Sequence, residues 1–296
     1  MRVFLTGATG FIGTAVVREL IGAGHQVLGL ARSREAADSL SEMGAEIHYG
    51  DLEDWESLRR GVAASDGVIH TGFIHDFSRL KEVCEIDRNV IGVLSTALIG
   101  SDRPLVVTSG IALVSPGQIA TELDLPRLNA DVFPRVATEE AVIESVSMGV
   151  RVSVVRLAPS VHGAGDHGFV PALISIAQER GVSAYIGEGT NRWTAVHRRD
   201  AATLYRLALE KGTSGSRFHG VAEEGVPFRD IAEAIGRRLN IPVVSKSPEE
   251  AAQHFGWLAR FAEIDCPASS KLTQEILNWR PEYSTLVSDL NNGGYF

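Results

Sequence analysis

The sequence has few cysteines, no long apolar run and no excess of positive charge. Cys84 and Cys266 are the only cysteines in 296 residues, and neither has metal-ligating neighbours at a regular spacing. We therefore predict a reducing, cytoplasmic environment, two packing thiols and no metal site. No stretch approaches the ~18 apolar residues that cross a bilayer, and the first residues do not follow the pattern of a signal peptide. A formal net charge of -9 argues against nucleic acid or an anionic membrane surface as a partner.

What the sequence does contain is a glycine motif near its start. Residues 1–13, MRVFLTGATGFIG, form a short apolar strand that leads into Gly7, Gly10 and Gly13, and residues 14–21 have helical spacing. Strand, glycine turn and helix in this order predict a dinucleotide site, with a tight structural turn as the alternative. Gly7 permits the turn, Gly10 lets the backbone approach a pyrophosphate, and Gly13 lets the helix pack against the strand. The unpaired amides of the helix would face the phosphates.

The end of the second predicted strand, residues 26–30, indicates which dinucleotide is bound. Arg32 and Arg34 stand where NAD-selective sites usually hold an acidic residue. An arginine would attract a 2′-phosphate, and we expect no carboxylate beside it to repel that group. The sequence therefore predicts NADP(H) in preference to NAD(H), with two solvated loop arginines as the alternative.

Predicted strands and helices alternate over the first 110 residues. The strands are residues 2–5, 26–30, 45–49, 67–70 and 105–109, and helical stretches include 56–62 and 80–100. This alternation predicts an α/β fold with a right-handed, doubly wound parallel sheet. Ligands bind such sheets at the carboxyl ends of the strands. The loops after Leu5, Leu30, Tyr49, His70 and Val107 should therefore meet at one cleft.

The pattern changes after residue 110. A polar connection covers 111–134, a helix is predicted at 136–148 and a sixth strand at 150–155. Beyond Pro159, short apolar pieces mix with predicted helices at 169–180, 200–209, 229–239 and 271–278. We predict a Rossmann domain over 1–160. Residues 161–296 should form mainly a smaller substrate-binding lobe, with some segments returning to the sheet.

The segment TGATGFIG at residues 6–13 resembles the TGxxGxxG signature of the extended short-chain dehydrogenase/reductases, the superfamily of NAD-dependent epimerases and dehydratases. The likeness continues in Asp51 and Leu52, which resemble the adenine-binding pair, and at residues 68–72, 89–92, 156–163, 196–201 and 277–281. It implies a Rossmann domain with a smaller C-terminal α/β lobe. Together with the glycine motif and Arg32, it implies that the cofactor contacts Gly7, Thr9, Gly10, Phe11, Ile12, Gly13, Arg32, Asp51, Leu52, Thr71, Gly72, Thr108 and Pro159.

The catalytic pattern departs from the resemblance. Members of the family use a Ser or Thr after the fifth strand and a Tyr-x-x-x-Lys motif on the next helix, where tyrosine exchanges a proton and lysine lowers its pKa. By alignment, Gly110, Arg135 and Glu139 occupy these three positions, and none of the five tyrosines precedes a lysine by four residues. The chain therefore resembles an atypical member without the Ser-Tyr-Lys triad.

Other residues are candidates for the chemistry. The catalytic candidates are Ser109, Arg135 and His162, and the candidate substrate contacts are His75, Arg135 and His162. Arg135 would hold a substrate oxygen or carboxylate as a permanent cation, although an ion pair with Glu139 one helical turn later is an equal alternative. Either histidine could donate a proton near neutral pH, and a purely structural role is the alternative for each.

Three functions follow from these residues. The favoured one is an NADP(H)-dependent oxidoreductase that reduces a small organic carbonyl or imine. The second is a non-catalytic NADP(H)-binding redox sensor. The third is a nucleotide-sugar epimerase or dehydratase, which the missing tyrosine argues against. The resemblance also implies a homodimer built from the helices at 80–100 and 136–148, and residues 73–79, 111–134 and 161–169 should line the substrate pocket.

Overall fold

The computed structural model describes residues 1–114, 116–292 and 294–296. Its strands are β1 (Arg2–Thr6), β2 (Gln26–Ala31), β3 (Glu46–Tyr49), β4 (Gly67–His70), β5 (Leu105–Gly110), β6 (Val152–Leu157), β7 (Ser160–His162), β8 (Ser183–Ile186), β9 (Arg192–His197), β10 (Arg217–Gly220), β11 (Glu223–Pro227) and β12 (Val243–Lys246). Its α-helices are α1 (Phe11–Gly22), α2 (Arg34–Glu42), α3 (Trp55–Ala63), α4 (Leu80–Thr96), α5 (Ala137–Ser147), α6 (Phe169–Arg180), α7 (Arg198–Lys211), α8 (Phe228–Leu239), α9 (Pro248–Phe255), α10 (Ala259–Ala262), α11 (Lys271–Leu277) and α12 (Leu286–Asn292). Four 3₁₀ turns lie at Phe77–Arg79, Ile111–Leu113, Pro134–Val136 and Gly256–Leu258.

A seven-stranded sheet in the order β10-β6-β5-β4-β1-β2-β3 organises the molecule, and all its neighbouring strands are parallel. Helices α1 and α7 pack on one face, while α3, α4 and α5 pack on the other. Both faces are covered, so the central strands are buried and mainly apolar, as parallel strands usually are, with polar residues such as Thr6, His70 and Arg156 near their carboxyl ends. The Rossmann-type α/β fold predicted from the alternation of elements is confirmed. Strand order reverses between β1 and β4, which is where such sheets bind ligands.

The smaller lobe lies at the carboxyl edge of this sheet. It contains a three-stranded sheet, β11-β9-β7, and a two-stranded sheet, β12-β8, with their own buried core around Trp193 and Phe228. Strand β10 and helix α7 come from the C-terminal half of the chain but complete the large sheet and its α1 face. The chain therefore passes between the sheet and the lobe several times.

Three of the helix and strand boundaries that differ from the sequence-based expectations show the reasons for such differences. Helix α1 begins at Phe11, three residues before the periodic pattern starts, because Gly10 is its N-cap. Helix α4 ends at Thr96 and not near residue 100. Strand β6 covers 152–157 and not 150–155, because its pairing with β5 starts at Leu105 and Val152. No helix in the described part of the chain is long and apolar enough to cross a membrane.

Candidate functional site

The glycine turn between β1 and α1 has room only for glycine. Gly7 has a φ of +68°, and a Cβ on it would lie 2.6 Å from the Gly72 amide nitrogen. A Cβ on Gly13 would lie 2.0 Å from the Gly7 carbonyl oxygen, which accepts a 3.0 Å hydrogen bond from the Gly10 amide. Helix α1 has no side-chain cap and no acidic residue in its first turn. Its N-terminal amides are therefore open to an anion, and this cradle fits a dinucleotide pyrophosphate.

The loop after β4 lies directly against this turn. The Thr71 hydroxyl donates to the Thr6 carbonyl oxygen at 2.8 Å, and the Gly72 amide donates to Thr6 Oγ1 at 3.2 Å. A Cβ on Gly72 would contact Leu52 Cδ2 at 3.1 Å. The predicted contacts Gly7, Leu52, Thr71 and Gly72 thus come together at the point where strand order reverses.

Arg32 and Asp51 are neighbours at the ends of β2 and β3. Arg32 Nε lies 3.8 Å from Asp51 Oδ2, and the Arg32 side chain is 73% exposed. The expectation that no carboxylate stands beside Arg32 is therefore wrong, because the parallel pairing of β2 and β3 brings the two loops together. Arg34 faces its own helix instead, 4.0 Å from Asp38.

Arg198 is a cation at the glycine turn that the sequence reasoning missed. Its guanidinium lies 4.5 Å from the centre of the Phe11 ring and donates to Thr14 Oγ1 at 2.8 Å, both in the first turn of α1. It also donates to the Ala164 carbonyl oxygen at 2.8 Å. Burial and the positive charge of Arg18 lower the pKa of Arg198 from its ordinary value. Arg198 therefore adds positive charge beside the free amides of α1.

A buried polar network connects the ends of β1 and β4 to helix α4. Thr6 Oγ1 lies 2.6 Å from His70 Nδ1, and His70 Nε2 lies 3.0 Å from Asp87 Oδ1. The other carboxylate oxygen, Asp87 Oδ2, accepts a 2.9 Å hydrogen bond from Arg135 Nη1 and a further one from the Thr138 hydroxyl. Burial alone would raise the pKa of Asp87, but Arg135 and His70 outweigh it and hold the pKa below its ordinary value.

Arg135 is the charged group that this network presents at the cleft. Its guanidinium donates to Asp87, to Thr138 and, at 3.1 Å, to the Thr108 carbonyl oxygen at the end of β5. It also lies 4.4 Å from the centre of the Phe73 ring. An arginine has five N–H donors, and these contacts use three of them. One Nη2 hydrogen and the Nε hydrogen have no acceptor among the described residues, so both could bind a substrate oxygen.

Glu139 does not pair with Arg135, so that alternative is wrong. The Glu139 carboxylate accepts two hydrogen bonds from the fully buried Arg156 on β6, at 2.9 and 3.0 Å. Burial would raise the pKa of Glu139, but the bonds from Arg156 outweigh it and lower the pKa. The position that alignment assigns to the family lysine therefore belongs to a buried ion pair with β6, separate from the Arg135 contacts to Asp87 and Thr138.

The end of β5 carries three predicted residues with different surroundings. A Cβ on Gly110 would meet nothing closer than the Leu157 carbonyl oxygen at 4.0 Å. Ser109 is buried beside Arg156 of β6 and makes no hydrogen bond to Arg135 within the described residues. The Thr108 hydroxyl bonds the His70 carbonyl oxygen and Tyr205 Oη, each at 2.7 Å. Burial raises the pKa of the Tyr205 hydroxyl well above its ordinary value, which makes this group a poor proton donor to a substrate.

His75 lies on the same side of the cleft as Arg135. Its ring is 5.3 Å from the Phe73 ring, which Arg135 also contacts. Partial burial and the charge of Arg135 lower the pKa of His75 from its ordinary value. His75 is an exposed residue, so it can reach a bound molecule.

His162 lies in a different environment, within the smaller lobe. It is fully buried on β7, and its Nδ1 is 2.7 Å from Asp289 Oδ2 of α12. Its ring also packs edge-on against His197 at 5.5 Å. None of these partners belongs to the Arg135 network. Pro159 lies in the short link between β6 and β7, at the cleft edge of the sheet.

Sequence reasoning missed Asp87, His70 and Arg198. A signal for Asp87 was present, because this acidic residue lies at the core-facing spacing of Val83, Val90 and Ile91 on α4. A carboxylate on the apolar stripe of a helix needs a buried partner. The partner itself was not readable, because Arg135 is 48 residues away in sequence.

Comparison with known proteins gives three kinds of match. The model of the NAD dependent epimerase/dehydratase family matches residues 3–99. An uncharacterised protein of Schizosaccharomyces pombe is 52% identical, covering 100% of both chains. A 4-hydroxy-2-methyl-3-oxo-4-farnesyl-3,4-dihydroquinoline-1-oxide ketoreductase of Stigmatella aurantiaca is 26% identical, covering 90% of this chain and 84% of that one. The crystal structure of dTDP-glucose 4,6-dehydratase from Streptomyces venezuelae with NAD bound superposes with a TM-score of 0.79 at 18% identity, over 99% of this chain and 96% of that one.

Proposed function

Because the chain belongs to the extended short-chain dehydrogenase/reductases, in their NAD-dependent epimerase/dehydratase branch, we propose that it is an NADP(H)-dependent oxidoreductase that reduces a small organic carbonyl or imine without a Tyr-Lys pair. The family binds a nicotinamide dinucleotide, and the glycine cradle fits one. The observation that carries the proposal is the Arg135 guanidinium at the ends of β4 and β5, with His75 beside it and with two N–H groups that have no acceptor among the described residues. The relative from Stigmatella, named as a ketoreductase, supports reduction of a C=O group.

The two residues have different roles in this proposal. Arg135 binds the carbonyl oxygen and stabilises the negative charge that grows on it, because a guanidinium in a partly dry site is a strong, fixed donor. Asp87 positions Arg135 and cannot itself reach the substrate, because its oxygens are already bonded to His70, Arg135 and Thr138. A reduced nicotinamide, held at the glycine turn, would supply the hydride to the carbonyl carbon. His75 then gives its proton to the oxygen, so that C=O becomes CH–OH.

The NADP(H) preference rests on Arg32. Its side chain is mostly exposed and only its Nε faces Asp51, which supports a contact between the terminal guanidinium nitrogens and a 2′-phosphate. Titration of NADPH and NADH tests this. We expect Arg32→Ala to weaken NADPH binding at least tenfold and to leave NADH binding unchanged. Tighter NADH binding that ignores Arg32→Ala would contradict the assignment.

The reaction is tested by following NADPH oxidation with a panel of carbonyl compounds and imines. We expect turnover that falls about a hundredfold or more in His75→Gln and about ten- to hundredfold in Arg135→Lys, which keeps the charge but loses the fork of donors. Arg88→Ala, which removes an α4 arginine paired with Glu85 and Glu140, is the matched control and should keep full activity. Tight cofactor binding with no turnover on any compound would refute the reductase and favour the redox sensor.

A further inference from the structure

An aromatic wall extends from the Arg135 site into the smaller lobe. Six ring-bearing residues form it: Phe73, His75, Phe77, Phe169, Trp257 and Phe261. They come from three separate parts of the chain, namely the loop after β4, the start of α6, and the 3₁₀ turn at Gly256–Leu258 with the α10 helix that follows it. Single exposed apolar residues are common and need no explanation. This surface differs from them, because rings from three segments come together beside one charged group.

The wall begins at the guanidinium. Arg135 lies 4.4 Å from the Phe73 ring, His75 packs edge-on against Phe73 at 5.3 Å, and Phe77 follows at 6.3 Å from His75. Phe77 then stacks on Trp257 with ring centres 5.5 Å apart and planes 19° apart. A molecule whose oxygen is bound by Arg135 would therefore have aromatic faces next to the rest of its skeleton.

The middle of the wall is accessible to solvent. Phe77 is 38% exposed and Trp257 is 55% exposed, although both belong to the aromatic cluster. Phe169 and Phe261, which lie behind them with ring centres 4.6 Å apart, connect the wall to the buried core of the lobe through Trp193. Phe77 and Trp257 are thus packed against neighbouring rings while part of their surface stays open to solvent, as a stacking site for a ligand requires.

We infer that this wall selects carbonyl substrates that carry an aromatic ring next to the C=O group. The inference rests on the proposed function, because it takes Arg135 as the group that binds the carbonyl oxygen. The ring would lie along Phe77 and Trp257, where it gains contact area and offset or edge-to-face stacking. A saturated ring of the same size gains area only. The wall itself, apart from His75, carries no ionisable group, so it favours an uncharged ring system.

The test is ligand-detected NMR titration of two methyl ketones of equal carbon skeleton, acetophenone and cyclohexyl methyl ketone. The protein is held with NADP⁺, which cannot reduce either compound. We expect acetophenone to bind about three- to tenfold more tightly, and Trp257→Leu and Phe77→Leu each to remove most of this difference. Trp55→Leu changes an exposed tryptophan on α3 that is outside the wall, and it should leave the difference intact.

Equal affinity for the two ketones, or a preference that both wall variants retain, would overturn the inference. A second measurement separates it from the proposed reaction, namely NADPH oxidation with acetophenone in the wild-type protein. Selective binding without NADPH oxidation by any carbonyl would refute the reductase and keep the wall as a ligand site. Turnover of both ketones with no selectivity in binding would refute the wall alone.

Discussion

The buried ion pair between Glu139 and Arg156 allows a quantitative prediction. Arg156 is fully buried, and its other donors reach the Asp124 carbonyl oxygen at 2.9 Å and His219 at 3.3 Å. Replacing Glu139 by the isosteric glutamine removes the charge that balances this cation. Breaking a buried pair from one side costs about 3–5 kcal/mol, which is a large part of the roughly 5–15 kcal/mol that stabilises a folded protein.

Thermal unfolding followed by circular dichroism measures the cost. At about 2 °C per kcal/mol for a chain of this length, Glu139→Gln should lower the Tm by about 6–10 °C at pH 7.5. Glu140→Gln is the matched control. Glu140 is the next residue along α5, and its carboxylate pairs with Arg88 at the partly exposed surface. That change should cost no more than about 1 kcal/mol.

The contribution of the Glu139–Arg156 pair to stability should depend on pH in a defined direction. The pKa of Glu139 is lowered in the folded protein, so its stabilisation is fully present above the unfolded value of about 4.3. It is lost as pH falls through the lower, folded value. The difference in the free energy of unfolding between wild type and Glu139→Gln should therefore become smaller at acidic pH. A gap below about 1 kcal/mol at pH 7.5, or one that stays unchanged at pH 3, would refute the reasoning. The double variant Glu139→Leu/Arg156→Met should be more stable than Glu139→Leu alone, because the fully buried Arg156 cation is removed together with its partner.

Three further predictions concern the site and the assembly. Because the pKa of His75 is lowered, the His75 side chain is mostly neutral at pH 7.5. We therefore expect kcat for reduction to rise as pH falls from 8 to 5, and His75→Gln to flatten this profile. Gly13→Ala should abolish NADPH binding in a calorimetric titration, since its Cβ would lie 2.0 Å from the Gly7 oxygen; Gly22→Ala, with nothing within 4 Å, should bind normally. Ile143 is 51% exposed on α5, and Ile143→Asp should convert the proposed dimer to a monomer in light scattering; a wild-type monomer at micromolar concentration would contradict this.

The parts of the site that depend on local sequence were predictable. The glycine turn is one, because its backbone conformation and the start of α1 are set within about ten neighbouring residues. The fold is another, since continuous apolar strands alternating with helices leave few arrangements. Helix α2 was not anticipated, as only Ala37 and Leu40 of it are buried and its apolar stripe is correspondingly narrow.

The charged partners were not predictable, because each pair joins distant segments. Helical spacing favours Arg135 with Glu139, four residues apart, by only a few tenths of a kcal/mol. The packing of α5 against both α4 and β6 turns the two side chains to different partners, Asp87 and Arg156. Arg32 and Asp51 are also distant in sequence, and they come together because they follow the paired strands β2 and β3. Pairings of this kind become visible only when strand order and helix packing are known.

The repeated passage of the chain between the large sheet and the smaller lobe has a mechanical consequence. Strand β9 belongs to the lobe, α7 and β10 to the sheet, and β11 to the lobe again. Two domains joined by a single linker can rotate apart about a hinge. Several chain connections between the same two domains permit only small rotations. The rings of the aromatic wall come from both the sheet and the lobe, so we expect these connections to keep the spacing of the rings nearly constant. We therefore expect substrate entry to depend on motions of side chains and of the loop after β4, with the lobes themselves opening little.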